Sequence, residues 1–164
     1  MVTLEKITLE NRREMFNLEV GEEQRRFVAS NLSSVASCYV LAVNGGHPMP
    51  FCVYAGGRMV GFVMIVYGVT GYETPPVAEG NYCVLRLMID QKYQRRGYGR
   101  EAMRKVLDYI RTFPAGPARY CWIGYAPGNE AAQRLYESLG FRYGEEIIHR
   151  LNGEHRELYS VIEL

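Results

Sequence analysis

The chain reads Val84-Leu85-Arg86-Leu87-Met88-Ile89 and, after a short link, Gln94-Arg95-Arg96-Gly97-Tyr98-Gly99. The first run is typical of a buried strand, and the segment after the glycines is strongly amphipathic. A strand that turns through two glycines into a helix is suited to anion binding. The glycines let several backbone N–H groups point inward, and the helix dipole adds partial positive charge. This geometry favours a phosphate or pyrophosphate, although Gln-x-x-Gly-x-Gly differs from the dinucleotide fingerprint and from the P-loop.

The segment after these glycines is the clearest helix in the sequence. Its apolar residues recur at i, i+3, i+4 and i+7, at Met103, Val106, Leu107 and Ile110. Charged residues occupy the opposite face, and Pro114 and Gly116 end the pattern.

A second strand and helix follow in the same order. Residues Ala118–Tyr125 have the composition of a strand, and Asn129 is a plausible N-cap for the next helix. The apolar stripe of that helix consists of Ala132, Leu135, Tyr136 and Leu139, with Gly140 placed to end it.

The remaining segments show further strand, helix and loop patterns. We expect strands at Thr3–Thr8, Phe51–Ala55, Met59–Tyr67 and Asn81–Asp90, helices at Asn11–Val20 and Ser34–Val43, loops at 44–48 and 68–80, and a final hairpin of Phe141–Arg150 and Arg156–Leu164 around Asn152-Gly153. The predicted order is β–α–α–β–β–β–α–β–α–β–β. It indicates a single α/β domain over residues 1–164, with a mixed sheet and helices on both faces.

Composition limits the possible function. Apolar residues make up 48% and charged residues 23% of the chain, so we expect a soluble globular protein. A net charge of +1 argues against nucleic-acid binding as the main task. The four cysteines and three histidines show no metal-ligand spacing, so no metal is expected. The N-terminus lacks the apolar core of a signal peptide and no run is long enough to cross a membrane, which favours the cytoplasm.

Two stretches resemble a known superfamily. The run Arg86–Arg100 resembles the acetyl-coenzyme A signature of the GNAT acyltransferases, and Pro127–Phe141 resembles their second conserved block. Segment Gln24–Asn31 is similar to the branch of bacterial spermine/spermidine acetyltransferases. The superfamily resemblance covers about residues 50–164, and it implies a GNAT-type fold whose mostly antiparallel sheet is splayed at the cofactor site.

The resemblance implies acetyl-coenzyme A as cosubstrate and assigns residues to it. The pyrophosphate would bind at Gln94, Arg95, Arg96, Gly97, Tyr98, Gly99 and Arg100, and the pantetheine arm would pair with the backbone of Leu87, Met88 and Ile89. The side chain of Asn129 would contact the cofactor. Tyr136 would lie at the thioester sulfur as general acid. From the residues alone, Leu87 and Ile89 also suit the core, Asn129 a helix cap, and Tyr136 a packed aromatic position.

The implied reaction moves acetyl directly onto a primary amine, with a small polyamine or diamine as the leading acceptor. Related polyamine-type sequences carry an acidic residue where this chain has Leu85. A protein N-terminus, a lysine side chain and an aminoglycoside-type drug therefore stay open as acceptors, as does a catalytically silent acyl-CoA-binding module. A nucleotide-phosphate enzyme would need a lysine in the loop or a carboxylate pair for magnesium, and the loop lacks the P-loop ending.

The general base and the assembly state are less constrained. Candidate bases are the carboxylates of Glu22, Glu23, Glu73 and Glu79, whereas Cys83 and Cys121 have no nearby histidine signal and are not expected to be nucleophiles. We expect a homodimer, because Arg156–Leu164 reads as an exposed edge strand that ends in an apolar Val161-Ile162 pair.

Overall fold

A computed structural model describes residues 1–69, 74–149 and 155–164 of the chain, and the side chains of 146–149 and 155 are left aside. Among the described residues the strands form one seven-stranded sheet. The strands are β1 (Val2–Lys6), β2 (His47–Ala55), β3 (Arg58–Tyr67), β4 (Tyr82–Ile89), β5 (Tyr120–Tyr125), β6 (Arg142–His149) and β7 (His155–Glu163). Their order across the sheet is β1-β2-β3-β4-β5-β7-β6.

Four α-helices connect these strands. They are α1 (Arg12–Phe16), α2 (Asn31–Val43), α3 (Tyr98–Ile110) and α4 (Glu130–Glu137), with short 3-10 turns at Glu22–Gln24, Pro76–Ala78 and Gln91–Tyr93. The predicted order of helices and strands is confirmed. The predicted apolar stripe of α3 is buried at all four positions, none of which is more than 4% exposed.

Helices cover both faces of the sheet, as predicted. Alternate residues of β3 point to opposite faces. Val63 and Ile65 pack with the stripe of α3, whereas Phe62 and Met64 pack with Met15 and Leu41 of α1 and α2. The sheet therefore has an α3–α4 face and an α1–α2 face.

Helix α1 and strand β2 differ most from their predicted bounds. Helix α1 begins at Arg12 and ends at Phe16 rather than at Val20. Strand β2 begins at His47, inside the predicted loop. Residues 47–50 extend beyond the stretch of β2 that pairs with β1. That open edge accommodates Pro48 and Pro50, because proline has no N–H to contribute to a ladder.

The last strand is not at the edge of the sheet, which corrects the reason for expecting a homodimer. Strand β7 lies between β5 and β6 and pairs antiparallel with both. The edge strands are β1 and β6. The Asn152-Gly153 turn predicted between β6 and β7 lies outside the described residues.

The sheet is splayed between β4 and β5, as the resemblance implied. These two strands run parallel, and their pairing comprises Tyr82 with Cys121 and Cys83 with Trp122. Both pairs lie at the beginning of the strands, so the strands separate towards their carboxyl ends. On its other side β4 continues to pair with β3 as far as Ile89.

No helix in the described parts of the chain combines the length and the apolar character that crossing a membrane would need.

Replacing Gly61 by alanine tests the close approach of β3 and β4. A Cβ atom there would lie 2.4 Å from the backbone oxygen of Met88, so the strands must move apart. We expect Gly61→Ala to lower the free energy of unfolding by about 1–3 kcal/mol, measured by urea denaturation. In the control Gly99→Ala, the nearest atom would lie at 3.7 Å, so stability should stay the same or rise slightly. Equal stability of the two variants would contradict the steric argument.

Candidate active site

A cavity of about 840 Å³ opens where β4 and β5 separate. Its walls come from the second half of β4, the turn that follows, the first residues of α3, the end of β5 and the inner side of α4. Residues 24–29, called here the acceptor segment, close it on the α1–α2 face. The carboxyl ends of neighbouring strands are a common place for ligands in open α/β sheets.

The glycine turn, residues 94–99, forms one end of the cavity. Gly97 is the N-cap of α3 with φ +82°, and Arg95 has φ +61°. Both residues are thus in the left-handed region, which glycine adopts without the steric cost that a side chain carries. The first backbone N–H groups of a helix have no partner within the helix, so those at the start of α3 are suited to stabilising an anion.

Five of the seven residues predicted in this turn line the cavity: Gln94, Arg95, Gly97, Tyr98 and Gly99. The structure does not bring Arg96 or Arg100 to the cavity wall. The Arg96 guanidinium donates to the carbonyl of Lys92 at 3.2 Å and lies over the ring of Tyr93. Arg100 is exposed on the first turn of α3.

The side-chain amide nitrogen of Gln94, which was predicted to bind the cofactor, forms hydrogen bonds within the protein. Its Nε2 donates to the carbonyl of Ile89 at 2.9 Å and to Oε1 of Gln24 at 2.8 Å. The same Oε1 accepts from the N–H of Gly21. Gln94 therefore connects the end of β4, the glycine turn and the start of the acceptor segment.

Asp90 makes a second connection that the sequence reasoning missed. It is only 3% exposed, and its two carboxylate oxygens accept from the N–H groups of Lys92 and Glu19 at 2.9 and 3.0 Å. The N–H of Gln91 in turn donates to the carbonyl of Glu19. An aspartate directly after a strand and before a turn is a local capping signal that would have identified it.

The backbone of β4 is open on the cavity side. Leu87, Met88 and Ile89 pair with β3 on one side, whereas the pairing with β5 stops at Cys83. The side chains of Leu87 and Ile89 pack in the core of the α3–α4 face, and Met88 packs in the other. Leu87, Met88 and Ile89 therefore have side chains in the cores and a main chain that lacks a strand partner on the cavity side.

Tyr136 is both packed and adjacent to the cavity. It is 6% exposed, and its ring contacts those of Tyr125 and Phe141. Burial raises the pKa of its hydroxyl well above the usual value, with further contributions from Tyr125 and Cys83. Tyr136 is also one of the residues that line the cavity. Asn129 lines the same cavity, and its Oδ1 caps α4 by accepting from the N–H of Ala132 at 3.2 Å.

Two charged residues of the cavity were not predicted as part of the acceptor site. Arg86 projects from β4, and Glu157 projects from β7. Glu157 reaches the cavity because β7 lies beside β5 in the sheet. The pattern of strands in the sequence does not indicate that neighbour. Of the candidate bases, Glu22, Glu23 and Glu79 do not line the cavity, and Glu73 lies outside the described residues.

The buried cysteines have unreactive thiols. Burial raises the pKa of Cys121 to about 12 and that of Cys83 well above its usual value. Both thiols are therefore protonated near neutral pH, which disfavours a nucleophilic role. In the described residues no cluster of three or more histidine, cysteine, aspartate or glutamate side chains is arranged to hold a metal.

Comparison with known sequences identifies relatives over most of the chain. The profile of the acetyltransferase (GNAT) family matches residues 6–141. Spermine/spermidine N(1)-acetyltransferase of Bacillus subtilis (strain 168) is 24% identical over 156 residues, which are 93% of this chain and 94% of the relative. The predicted resemblance to that branch is confirmed.

Solved structures share the fold. An aminoglycoside acetyltransferase in complex with coenzyme A and kanamycin superposes with a TM-score of 0.76 at 18% identity, covering 99% of this chain and 95% of the other. Spermidine N-acetyltransferase from Vibrio cholerae, in complex with coenzyme A and spermine, superposes with a TM-score of 0.68 at 18% identity and the same coverage.

The connection through Gln94 can be tested by hydrogen exchange. In Gln94→Ala both hydrogen bonds of its amide are lost, so the local opening free energy of residues 91–97 and 19–27 should fall by about 1–2 kcal/mol. The amides of both segments should exchange about tenfold faster while those of α3 are unchanged. Lys92→Ala is the matched control, since its side chain is exposed. Faster exchange in the glycine turn alone would show that the two segments are not connected.

Proposed function

The chain belongs to the acetyltransferase (GNAT) family, and we propose that it transfers the acetyl group of acetyl-coenzyme A directly to a primary amine. One observation carries the proposal, namely that β4 and β5 part after Cys83. The parting leaves backbone hydrogen-bonding groups in the middle of the sheet without a strand partner. Buried groups of this kind need a partner, and a ligand with amide groups would supply one.

Pantetheine is such a ligand. It carries two amides and behaves like a short peptide, so it would add to the open side of β4 along Leu87, Met88 and Ile89 in the manner of strand addition. The side chains of these residues stay in the two cores. Only their main chain is used, which explains why ordinary apolar residues serve at a binding site.

The pyrophosphate would bind to N–H groups of the glycine turn. The left-handed φ of Gly97 opens the first turn of α3, and Arg95 and Arg134 add positive charge along the cavity. Gly99 leaves room beyond what the protein needs, because a Cβ there would touch only Leu135 and Ile89, at 3.7 and 3.8 Å. A ligand that approaches the backbone closely would use the space that a side chain at Gly99 would otherwise fill.

The chain supplies the proton transfers of the reaction. Tyr136 keeps its proton at neutral pH because burial raises its pKa, and it would give that proton to the departing thiolate. A backbone N–H on the open side of β4 would polarise the thioester carbonyl. Cys83 and Cys121 do not line the cavity and their thiols are protonated, so we propose that the acetyl group passes to the amine without a covalent enzyme intermediate.

The acceptor is a small amine that enters past the acceptor segment. The relative from Bacillus subtilis supports a polyamine, and the structural likeness to an aminoglycoside acetyltransferase supports a larger polycation. A protein N-terminus or lysine side chain is a further alternative. A silent acyl-CoA-binding module would bind coenzyme A without turnover, so a thiol-release assay separates it from an enzyme.

Valine substitutions in the glycine turn test the cofactor site. In Gly97→Val and Gly99→Val the new side chain occupies the space proposed for the pyrophosphate, so affinity for acetyl-coenzyme A should fall by at least 10-fold in calorimetry. Gly56→Val is the control for Gly97→Val. It has the same left-handed backbone and open surroundings, but it lies in the turn between β2 and β3. Unchanged affinity in a folded Gly97→Val protein would refute the assignment.

Replacing Tyr136 by phenylalanine removes the proton donor and keeps the ring. The kcat at saturating acceptor should fall on the order of 10²–10⁴-fold, with little change in affinity for acetyl-coenzyme A. Since the pKa of Tyr136 is raised, the group stays protonated from pH 6 to 9, and the wild type should show no alkaline loss from it in that window. Full kcat in the phenylalanine variant would leave Tyr136 as a packing residue.

A further inference from the structure

We infer that the acceptor carries an anionic group besides its amine, and that Arg86 binds this group while Glu157 takes the amine on the opposite side of the cavity. The inference rests on the proposed function and specifies its substrate class. The favoured anionic group is a carboxylate, since the guanidinium fork matches a carboxylate in two parallel hydrogen bonds.

A bulge in β4 directs Arg86 to the acceptor side. Met64 pairs with Arg86 and Ile65 with Val84, so Leu85 is an extra residue in the ladder. Leu85 packs on the α1–α2 face, as does Met88, which shares its strand face with Arg86. The bulge therefore turns Leu85 and Arg86 to the same side, towards the acceptor segment.

The guanidinium of Arg86 is held in place but not saturated. Its Nη1 donates to the carbonyl of Leu85 at 2.7 Å. Its Nε is fully buried and finds no hydrogen-bond partner among the described residues. A buried charged donor without a partner is costly, so the guanidinium gains the missing hydrogen bond if it turns towards a bound anion.

Glu157 faces the same part of the cavity from the other side of the splay. Its Oε2 lies 2.9 Å from the position that a Cβ of Gly124 would occupy, so the absence of a side chain at Gly124 makes room for the carboxylate. Leu158 packs in the core of the α3–α4 face, which places the preceding Glu157 on the opposite face with Arg86. Both charges act on the thiol of Cys83 at the foot of the splay: Glu157 raises its pKa and Arg86 lowers it.

The charge of the cavity does not suit a polycation. The charged residues of the described wall are Arg25, Arg26, Arg86, Arg95, Arg134 and Glu157. One carboxylate can take one ammonium group. Arg95 and Arg134 are assigned to the pyrophosphate and Arg25 pairs with Glu19, so a further ammonium group of a polyamine would meet Arg86 or Arg26. An acceptor with one amine and one carboxylate presents a group of opposite charge to each of Glu157 and Arg86.

The transfer step balances with these residues. The amine nitrogen forms a bond to the acetyl carbon while the carbon–sulfur bond breaks. Glu157 receives the first proton that the ammonium group loses, before the attack, and Tyr136 gives one to the thiolate. The second proton, which the nitrogen loses on becoming an amide, returns to Tyr136.

The experiment measures affinity for conjugates in which the sulfur of coenzyme A is joined through –CH₂–CO–NH– to an acceptor half. The acceptor halves are glycine, β-alanine and γ-aminobutyrate with free carboxylates, the carboxamide of each, and spermidine. Calorimetry compares the wild type with Arg86→Gln and Arg86→Lys, and uses Arg58→Gln, an exposed arginine at the start of β3, as the matched control. Thermal melting checks that each variant is folded.

The best carboxylate conjugate should bind about 10- to 100-fold more tightly than its carboxamide, which is the range for a hydrogen bond to a charged group. Arg86→Gln should abolish that difference, Arg86→Lys should restore part of it, and Arg58→Gln should leave it intact. Equal binding of every carboxylate and its carboxamide, or tightest binding of the spermidine conjugate, would overturn the inference and leave the proposed function standing. Failure of coenzyme A itself to bind the wild type would instead overturn the proposed function.

Discussion

The arrangement of this protein depends on two parallel strands that pair for two residues each and then separate. A sheet that ends its pairing in the middle leaves N–H and C=O groups exposed where neighbouring elements would normally satisfy them. The fold retains this because β4 stays paired with β3 on its other side, apart from the bulge at Leu85, and β5 stays paired with β7. The opening is thus stable as a gap between two intact halves of the sheet.

The two halves contribute different chemistry to the gap. The half with β4 supplies an open main chain, the glycine turn and Arg86. The half with β5 and β7 supplies Glu157, with Tyr136 and Asn129 from α4 beside it. Gly124 is where the second half makes space, since the carboxylate of Glu157 lies over it. The residues proposed to react therefore come from both halves of the sheet, so no single run of residues contains the proposed site.

Local patterns predicted most of the fold but not the features that depend on distant pairing. The periodicity of α3 and the cap of α4 at Asn129 were readable because each depends on residues within a few positions. The insertion of β7 beside β5 depends on contacts between residues about forty positions apart, so neither its central place nor the role of Glu157 was visible. Gln94 was assigned to a ligand because its neighbours suggested one, whereas its amide bonds to Gln24, seventy residues earlier. Asp90 had a readable capping signal whose second partner, Glu19, is equally distant.

The bonds of Asp90 and Gln91 to residue 19 involve only the main chain of that residue. Any amino acid except proline at position 19 can donate and accept in the same way. The N-terminal segment is thus fastened to the rest of the protein at a point that places almost no demand on its own sequence, and Gln24 is the specific side chain in the connection. A designer who wished to change the amine proposed to enter could vary the exposed positions of residues 20–30 while keeping Gln24, the core residues Val20 and Val28, and Ser30, which caps α2.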